Sequence, residues 1–143
     1  MSGSPKQTVT TYTNDVWNQH RVDAIDKYYA PGYIHHDVSR PDVTTLKDYK
    51  AWASALQTGL PDIRVDIDDL LADGAMVMKR WTASGTHTGE LAGIPPSGRR
   101  VQFSGVSVYR FSDGTIVESW YVYDLFGLLQ QVGALPAAET AAR

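Results

Sequence analysis

The stretch from Val101 to Asp124, VQFSGVSVYRFSDGTIVESWYVYD, decides the fold. Apolar side chains alternate along its first half, with Val101, Phe103 and Tyr109 on one face and Val106 and Val108 on the other. That period of two is the period of an extended strand. Asp113-Gly114 follows, among the strongest two-residue hairpin signals, because a type I′ turn asks for positive φ at both positions. A second strand then runs from Ile116 to Asp124, so the stretch reads as one long antiparallel hairpin.

The same grammar repeats upstream. Ile63, Val65 and Ile67 alternate with Arg64, Asp66 and Asp68, a half-buried strand, and Asp73-Gly74 turns it into another strand over Ala75–His87. The segment from Gly93 to Gly98, GIPPSG, is a loop. Ahead of the strands the period changes. Leu46, Tyr49, Ala53, Leu56 and Leu60 make a helical stripe, with Thr44 or Thr45 to cap its start, Gly59 near its end, and Pro61-Asp62 turning the chain after it. Val9, Tyr12, Val16 and Trp17 predict a helix over Thr8–His20. Val22, Ile25, Tyr28 and Tyr29 predict a short second helix that stops at Pro31-Gly32, and Tyr33–Asp37 is a short β-prone piece. Leu125–Val132 reads as a terminal helix with Gly133 as its C-cap. Helices first and an antiparallel meander after them is the α+β solution, in one domain spanning 1–143 with flexible tails at 1–6 and 136–143.

Composition narrows the function. The chain has no cysteine, which removes disulfides, thiolate nucleophiles and the usual structural zinc sites together. Thirteen Lys and Arg against sixteen Asp and Glu give a net charge of −3, and the basic residues are scattered rather than gathered in the stripe that nucleic acid requires. No secretory leader or membrane-length apolar run is legible, so the expected location is the cytoplasm. No Gly-rich phosphate loop, dinucleotide fingerprint or Ser-centred nucleophile elbow is present. The four His show no metal-ligand spacing, so neither metal nor cofactor is expected.

Several phrases fall in a recognisable order: Trp17-Asn18, Tyr33 to His36 (YIHH), Leu60-Pro61-Asp62, Gly85 to Gly89 (GTHTG), the 93–98 loop, Tyr109-Arg110, Asp113 to Trp120 and then Asp124. From about Thr8 to Gly133 the chain resembles the SnoaL-like polyketide cyclases, in the nuclear-transport-factor-two-like superfamily that also holds ketosteroid isomerase. The resemblance implies a cone-shaped fold, in which a strongly curved sheet and the N-terminal helices enclose a deep apolar pocket. It implies a cofactor-free enzyme of aromatic polyketide and antibiotic biosynthesis that closes a ring by intramolecular aldol condensation. It also implies a homodimer or homotetramer. In those cyclases an Asp at the end of the last long strand is the acid/base, and Asp124 matches it. A His on the preceding strand assists it there, whereas this sequence has no His between Val101 and Phe111. That departure favours an alternative the same resemblance carries: a part in polyketide hydroxylation, or binding of a small molecule without catalysis.

The candidate residues can also be weighed on their own chemistry. Read as one continuous strand, Ile116–Asp124 puts Ile116, Glu118, Trp120, Val122 and Asp124 on one face. A carboxylate in that company would be desolvated into a base able to take a proton α to a carbonyl. Asp124 equally fits an N-cap for the helix that begins at Leu125, and the resemblance tips the reading to the base. His36 matches the family's histidine, while adjacent His35 points to the opposite face; one of the two is to reach the pocket with Tyr33. His87 either polarises a substrate oxygen or simply turns its strand between glycines. Trp17, Trp52, Trp81 and Trp120 wall a pocket for a flat ligand or fill the core. Asn18 is a pocket hydrogen-bonder or a solvated helix residue, and Glu118 with Arg80 or Arg110 an ion pair.

Overall fold

Alternating sequence becomes a single sheet in the computed structural model, which describes residues 3–135. Its strands are β1 Tyr29–Asp37, β2 Arg64–Asp73, β3 Met76–Thr86, β4 Arg100–Ser112 and β5 Thr115–Tyr123. They lie in the order β1-β5-β4-β3-β2, forming a curved, open sheet. Four strands make the expected antiparallel meander, and β1 adds itself parallel to β5 at one edge. Helices α1 (Pro5–Tyr12) and α2 (Leu46–Gly59) cover the concave face, and α3 (Leu125–Gln131) follows β5. No described helix is long and apolar enough to cross a membrane.

The helices begin where side chains satisfy their free N–H groups. Thr45 and Asp48 form a reciprocal capping box on α2, and Ser4 and Gln7 form another on α1. The second box corrects the expected N-terminal tail: the chain is already ordered at Ser4 and helical from Pro5, a favoured first helical residue. The expected tail at 136–143 lies outside the described residues. Past Tyr12 the helix widens into a π segment, Thr13–Asn18. Its five-residue reach lets the Trp17 indole donate to the Tyr12 hydroxyl at 3.1 Å.

Two expectations about β1 and β5 are corrected. Pro31-Gly32 does not stop a helix: Val22–Lys27 is a 3₁₀ turn, and the chain is already in β1 from Tyr29. The pair instead sits at a register break between Tyr29 and Ile34, tolerated because β1 is an edge strand where a missing N–H leaves no partner wanting. On β5, Ile116 pairs with Phe111 but Glu118 pairs with Arg110, so Val117 is one residue too many. This β-bulge reverses the alternation. Ile116 faces the core, and after the bulge the buried residues are Ser119, Tyr121 and Tyr123.

On the concave face β3 presents Val77, Lys79, Trp81 and Ala83, and β4 presents Val101, Phe103, Ser107 and Tyr109, all buried. Gly105 lies between Phe103 and Ser107, opposite Trp81 and Tyr123. A Cβ there would come within 2.7 Å of the Trp81 ring and 2.6 Å of the Tyr123 Cβ. Gly105→Ala is therefore expected to destabilise the fold by about 1–3 kcal/mol through overpacking, read as a lowered urea midpoint with an unchanged slope.

Candidate active site

The inward residues of β1 are Tyr33, His35 and Asp37, and they build the site. His35 is 1% exposed and Asp37 5%. The Tyr33 hydroxyl lies 2.7 Å from His35 Nδ1 and also bonds the Ser119 hydroxyl, which is itself 3.4 Å from Nδ1. With these hydroxyls donating to Nδ1, the imidazole proton is placed on Nε2. Nε2 points toward Asp37 Oδ2 at 3.8 Å. The other oxygen, Oδ1, accepts from the backbone N–H groups of Ser39 and Arg40 at 2.9 and 3.2 Å. One half of the carboxylate is thus fixed by a turn, and the other is aimed inward.

His35 Nε2, Asp37 Oδ2 and the Tyr123 hydroxyl are all buried with no hydrogen-bond partner among the described residues. Burial first, and then the negative charge of Asp37, push the Tyr123 phenol well above its usual pKa, so it stays a neutral donor. Tyr123, Trp52 and Arg40 line a cavity of about 140 Å³ at the open end of the cone, completed by Phe103, Leu125 and Leu128. A second, deeper space of about 20 Å³ lies among Trp17, Trp52, Trp81, Lys79 and Tyr121. Trp52, Leu56 and Phe103 line both spaces. A larger concavity, about 620 Å³, is an open groove beside α1 that brings together none of the candidate residues.

Behind the deeper space the hydroxyls of Tyr12, Tyr49 and Tyr121 bond one another, with Tyr109 joining through Tyr121 at 3.3 Å. Lys79 is 2% exposed; its ammonium donates to Thr13 Oγ1 at 3.0 Å and lies 5.4 Å from the centres of both the Tyr12 and Tyr109 rings. No described carboxylate pairs with it. Among the described residues no three His, Asp or Glu side chains gather as metal ligands would.

The structure sorts the sequence candidates sharply. Trp17, Trp52 and Trp81 line the cavities, and Tyr33 and His35 face the interior. Asp124 does not. The Val117 bulge turns Glu118, Trp120, Val122 and Asp124 outward together; Asp124 is exposed and caps α3 by accepting from the Gly127 N–H at 2.8 Å. His36 is likewise on the outer face, stacked on Trp120 and 2.7 Å from Glu118, so neither His36 nor Trp120 reaches the pocket. The Arg110 guanidinium, followed by His36, holds the Glu118 carboxyl below its usual range. Arg80 pairs instead with Asp68 and Asp69. His87 lines neither cavity: its Nδ1 accepts from the Ser97 N–H at 3.1 Å and pins the 93–98 loop. Asn18 is spent on the backbone of Val65, donating to its carbonyl at 3.0 Å and accepting from its N–H at 2.7 Å.

Sequence reading passed over Asp37, Lys79, Tyr121 and Tyr123. Two of them carried a signal. Asp37 shares the parity of Tyr33 and His35, and Lys79 shares that of Val77 and Trp81, so each is a charged residue at a core position. Tyr121 and Tyr123 were hidden by the bulge.

As a cap, Asp124 has a defined worth. Asp124→Ala is expected to lower stability by about 1 kcal/mol, and Asp124→Asn by much less, in denaturant melts of the purified protein.

Comparison with known proteins agrees with this architecture. A model of the SnoaL-like polyketide cyclase family matches residues 7–132. Nogalonic acid methyl ester cyclase of Streptomyces nogalater is 27% identical over 124 residues, covering 82% of this chain and 89% of the cyclase. Among solved structures, AclR, a hydroxylase candidate from Streptomyces galilaeus, superposes with a TM-score of 0.84 at 27% identity, covering 97% of this chain and 87% of AclR. A polyketide cyclase candidate from Acidithiobacillus ferrooxidans gives 0.80 at 33% identity, covering 92% and 97% of the two chains. The chain belongs to the SnoaL-like polyketide cyclase family.

Proposed function

We propose that the protein closes a ring of a polyketide by cofactor-free, intramolecular aldol condensation, with His35, Asp37 and Tyr123 as its acid–base centre. The observation that carries this reading is a buried acid–base set: His35 Nε2 faces Asp37 Oδ2 at 3.8 Å, and the Asp37 charge acts in turn on the buried Tyr123 phenol. Tyr29 and His87 also bury an unsatisfied atom, but among the described residues only in this set do a carboxylate, an imidazole and a phenol lie together. Tyr123 is the member that lines the mouth, so it is the one that touches substrate. Its oxygen takes the proton from the carbon α to a ketone while its own proton passes to Asp37 Oδ2. His35, with Nε2–H toward that oxygen, steadies the carboxylate and is a positioning residue. The carbanion carbon bonds to the second carbonyl carbon, and the proton returns through Tyr123 to the oxygen formed there. Product and substrate have equal mass. Holding both reacting ends of one molecule in a single cavity supplies much of the rate by proximity.

A second reading, assistance to hydroxylation, is favoured by the absence of histidine between Val101 and Phe111 and by the likeness to AclR. Incubation with nogalonic acid methyl ester and related polyketide intermediates separates the two. A product of unchanged mass and new retention time supports cyclisation, and one heavier by an oxygen atom supports hydroxylation. On a substrate that turns over, Asp37→Asn and Tyr123→Phe should each lower kcat by roughly 10²–10⁴ with intact melting curves, while Asp124→Asn keeps near-wild-type rates. The reverse pattern would return the base to Asp124.

The outer face of the sheet fits a second copy of the chain. Ile34 and Val122 are exposed there around the stacked His36 and Trp120, flanked by charges of both signs from Glu118 and Arg110. A patch carrying both apolar area and both signs can meet itself across a two-fold axis. Sedimentation should give twice the chain mass of 15.8 kDa, and Val122→Lys should return the protein to that mass. Wild-type protein sedimenting at the chain mass at micromolar concentration would overturn the dimer.

A further inference from the structure

Lys79 stands out in the interior of the cone. Its charge is buried without a carboxylate, although a buried ammonium ordinarily needs an opposite charge and further hydrogen bonds. Its ammonium donates to Thr13 Oγ1, and its charge and a hydrogen bond act on the Tyr109 phenol, so its partners are all neutral. The faces of Tyr12 and Tyr109, each 5.4 Å away, supply further negative potential but no full opposite charge. Lys79 lines the deep cavity, about 20 Å³, which is room for one water-sized group. It adjoins the mouth across Trp52, Leu56 and Phe103. These three side chains are the shared wall of the two spaces, and only a water-sized group fits beyond them.

We propose that Lys79 is an anion-binding residue: it takes an anionic oxygen of the ligand, a carboxylate or an enolate, at the blind end of the cavity. The inference rests on the reading of the cone as the ligand site and gives it a polarity. Proton transfer belongs to the mouth, at Tyr123, and negative charge is received at the opposite end. Tyr121, which also lines the deep space, has its hydroxyl engaged with Tyr12, Tyr49 and Tyr109, so the role of cation at this end is left to Lys79. Such a preorganised donor stabilises developing charge most effectively where water is excluded.

The test needs no turnover, so it fails independently of the cyclase reading. Benzoate and benzamide have nearly the same shape and differ in charge. Each is titrated into the ¹⁵N-labelled protein at constant ionic strength, following the indole N–H signals. Trp17, Trp52 and Trp81 line the deep cavity, and Trp120 on the outer face is the internal control. Benzoate should shift the three cavity signals, spare Trp120, and bind at least about tenfold more tightly than benzamide, a difference of about 1.4 kcal/mol. In Lys79→Met the preference should fall to about onefold with benzamide affinity retained. A wild-type preference near unity, or one that survives in Lys79→Met, would sink the proposal. Arg40 at the mouth is the competing cation, and its replacement is well tolerated on exposure grounds. If Lys79→Met does not fold, Arg40→Gln decides: a preference that persists supports Lys79, and one that disappears assigns the anion to Arg40 and overturns the proposal.

Discussion

One extra residue in β5 sets which side chains face the interior of the cone. Strand side chains alternate without exception until a bulge intervenes, so Val117 acts as a phase shift for everything that follows it. Ahead of the shift, Ile116 is in the core. Beyond it, Ser119, Tyr121 and Tyr123 are turned inward, while Glu118, Trp120 and Asp124 go to the surface. The inward three then determine their partners. Ser119 meets Tyr33, Tyr121 joins the buried phenols, and Tyr123 closes the mouth beside Asp37.

The phenols tie the helices to the sheet. Tyr12 ends α1, Tyr49 lies on α2, and Tyr109 and Tyr121 come from neighbouring strands, yet their hydroxyls share one polar node inside an aromatic core. Hydroxyls can each donate and accept, so the node satisfies itself without a charge. Burial raises the pKa of Tyr12, Tyr49 and Tyr121, and so keeps them protonated. Nothing in the node competes as an acid with the groups at the mouth. A rigid, neutral floor leaves Lys79 as the one buried cation among the described residues.

How much of this was legible depends on range. The α+β class, both Asp-Gly hairpins, α2 with its cap and the terminal α3 follow from local rules of period and turn chemistry, and the sequence states them openly. The site was harder because it rests on parity. His35 and His36 could be assigned to opposite faces, but not to inside and outside, until β1 was seen to lie parallel against β5. Asp124 misled because a bulge leaves no local mark: nothing in TIVESW separates Val117 from an ordinary strand residue. The inward Lys79 and Asp37 were visible in principle, as charges on the apolar phase of their strands.

The break at Pro31-Gly32 has a consequence for the molecule among its own kind. An open sheet exposes two edges, each a template for another chain's backbone. On the β1 edge, Pro31 offers no N–H, and Ile34 and His35 are already engaged by Thr44 and Thr45. On the β2 edge, Asp66, Asp68 and Asp69 form ion pairs with Arg64 and Arg80, so the strand carries charged side chains of both signs. One side lacks the donor that a docking strand would need, and the other would have to bury charged pairs to accept one. Each edge of the five-stranded sheet thereby carries a feature that disfavours a sixth strand, and the curvature that the cavity requires is left open at little risk of edge pairing.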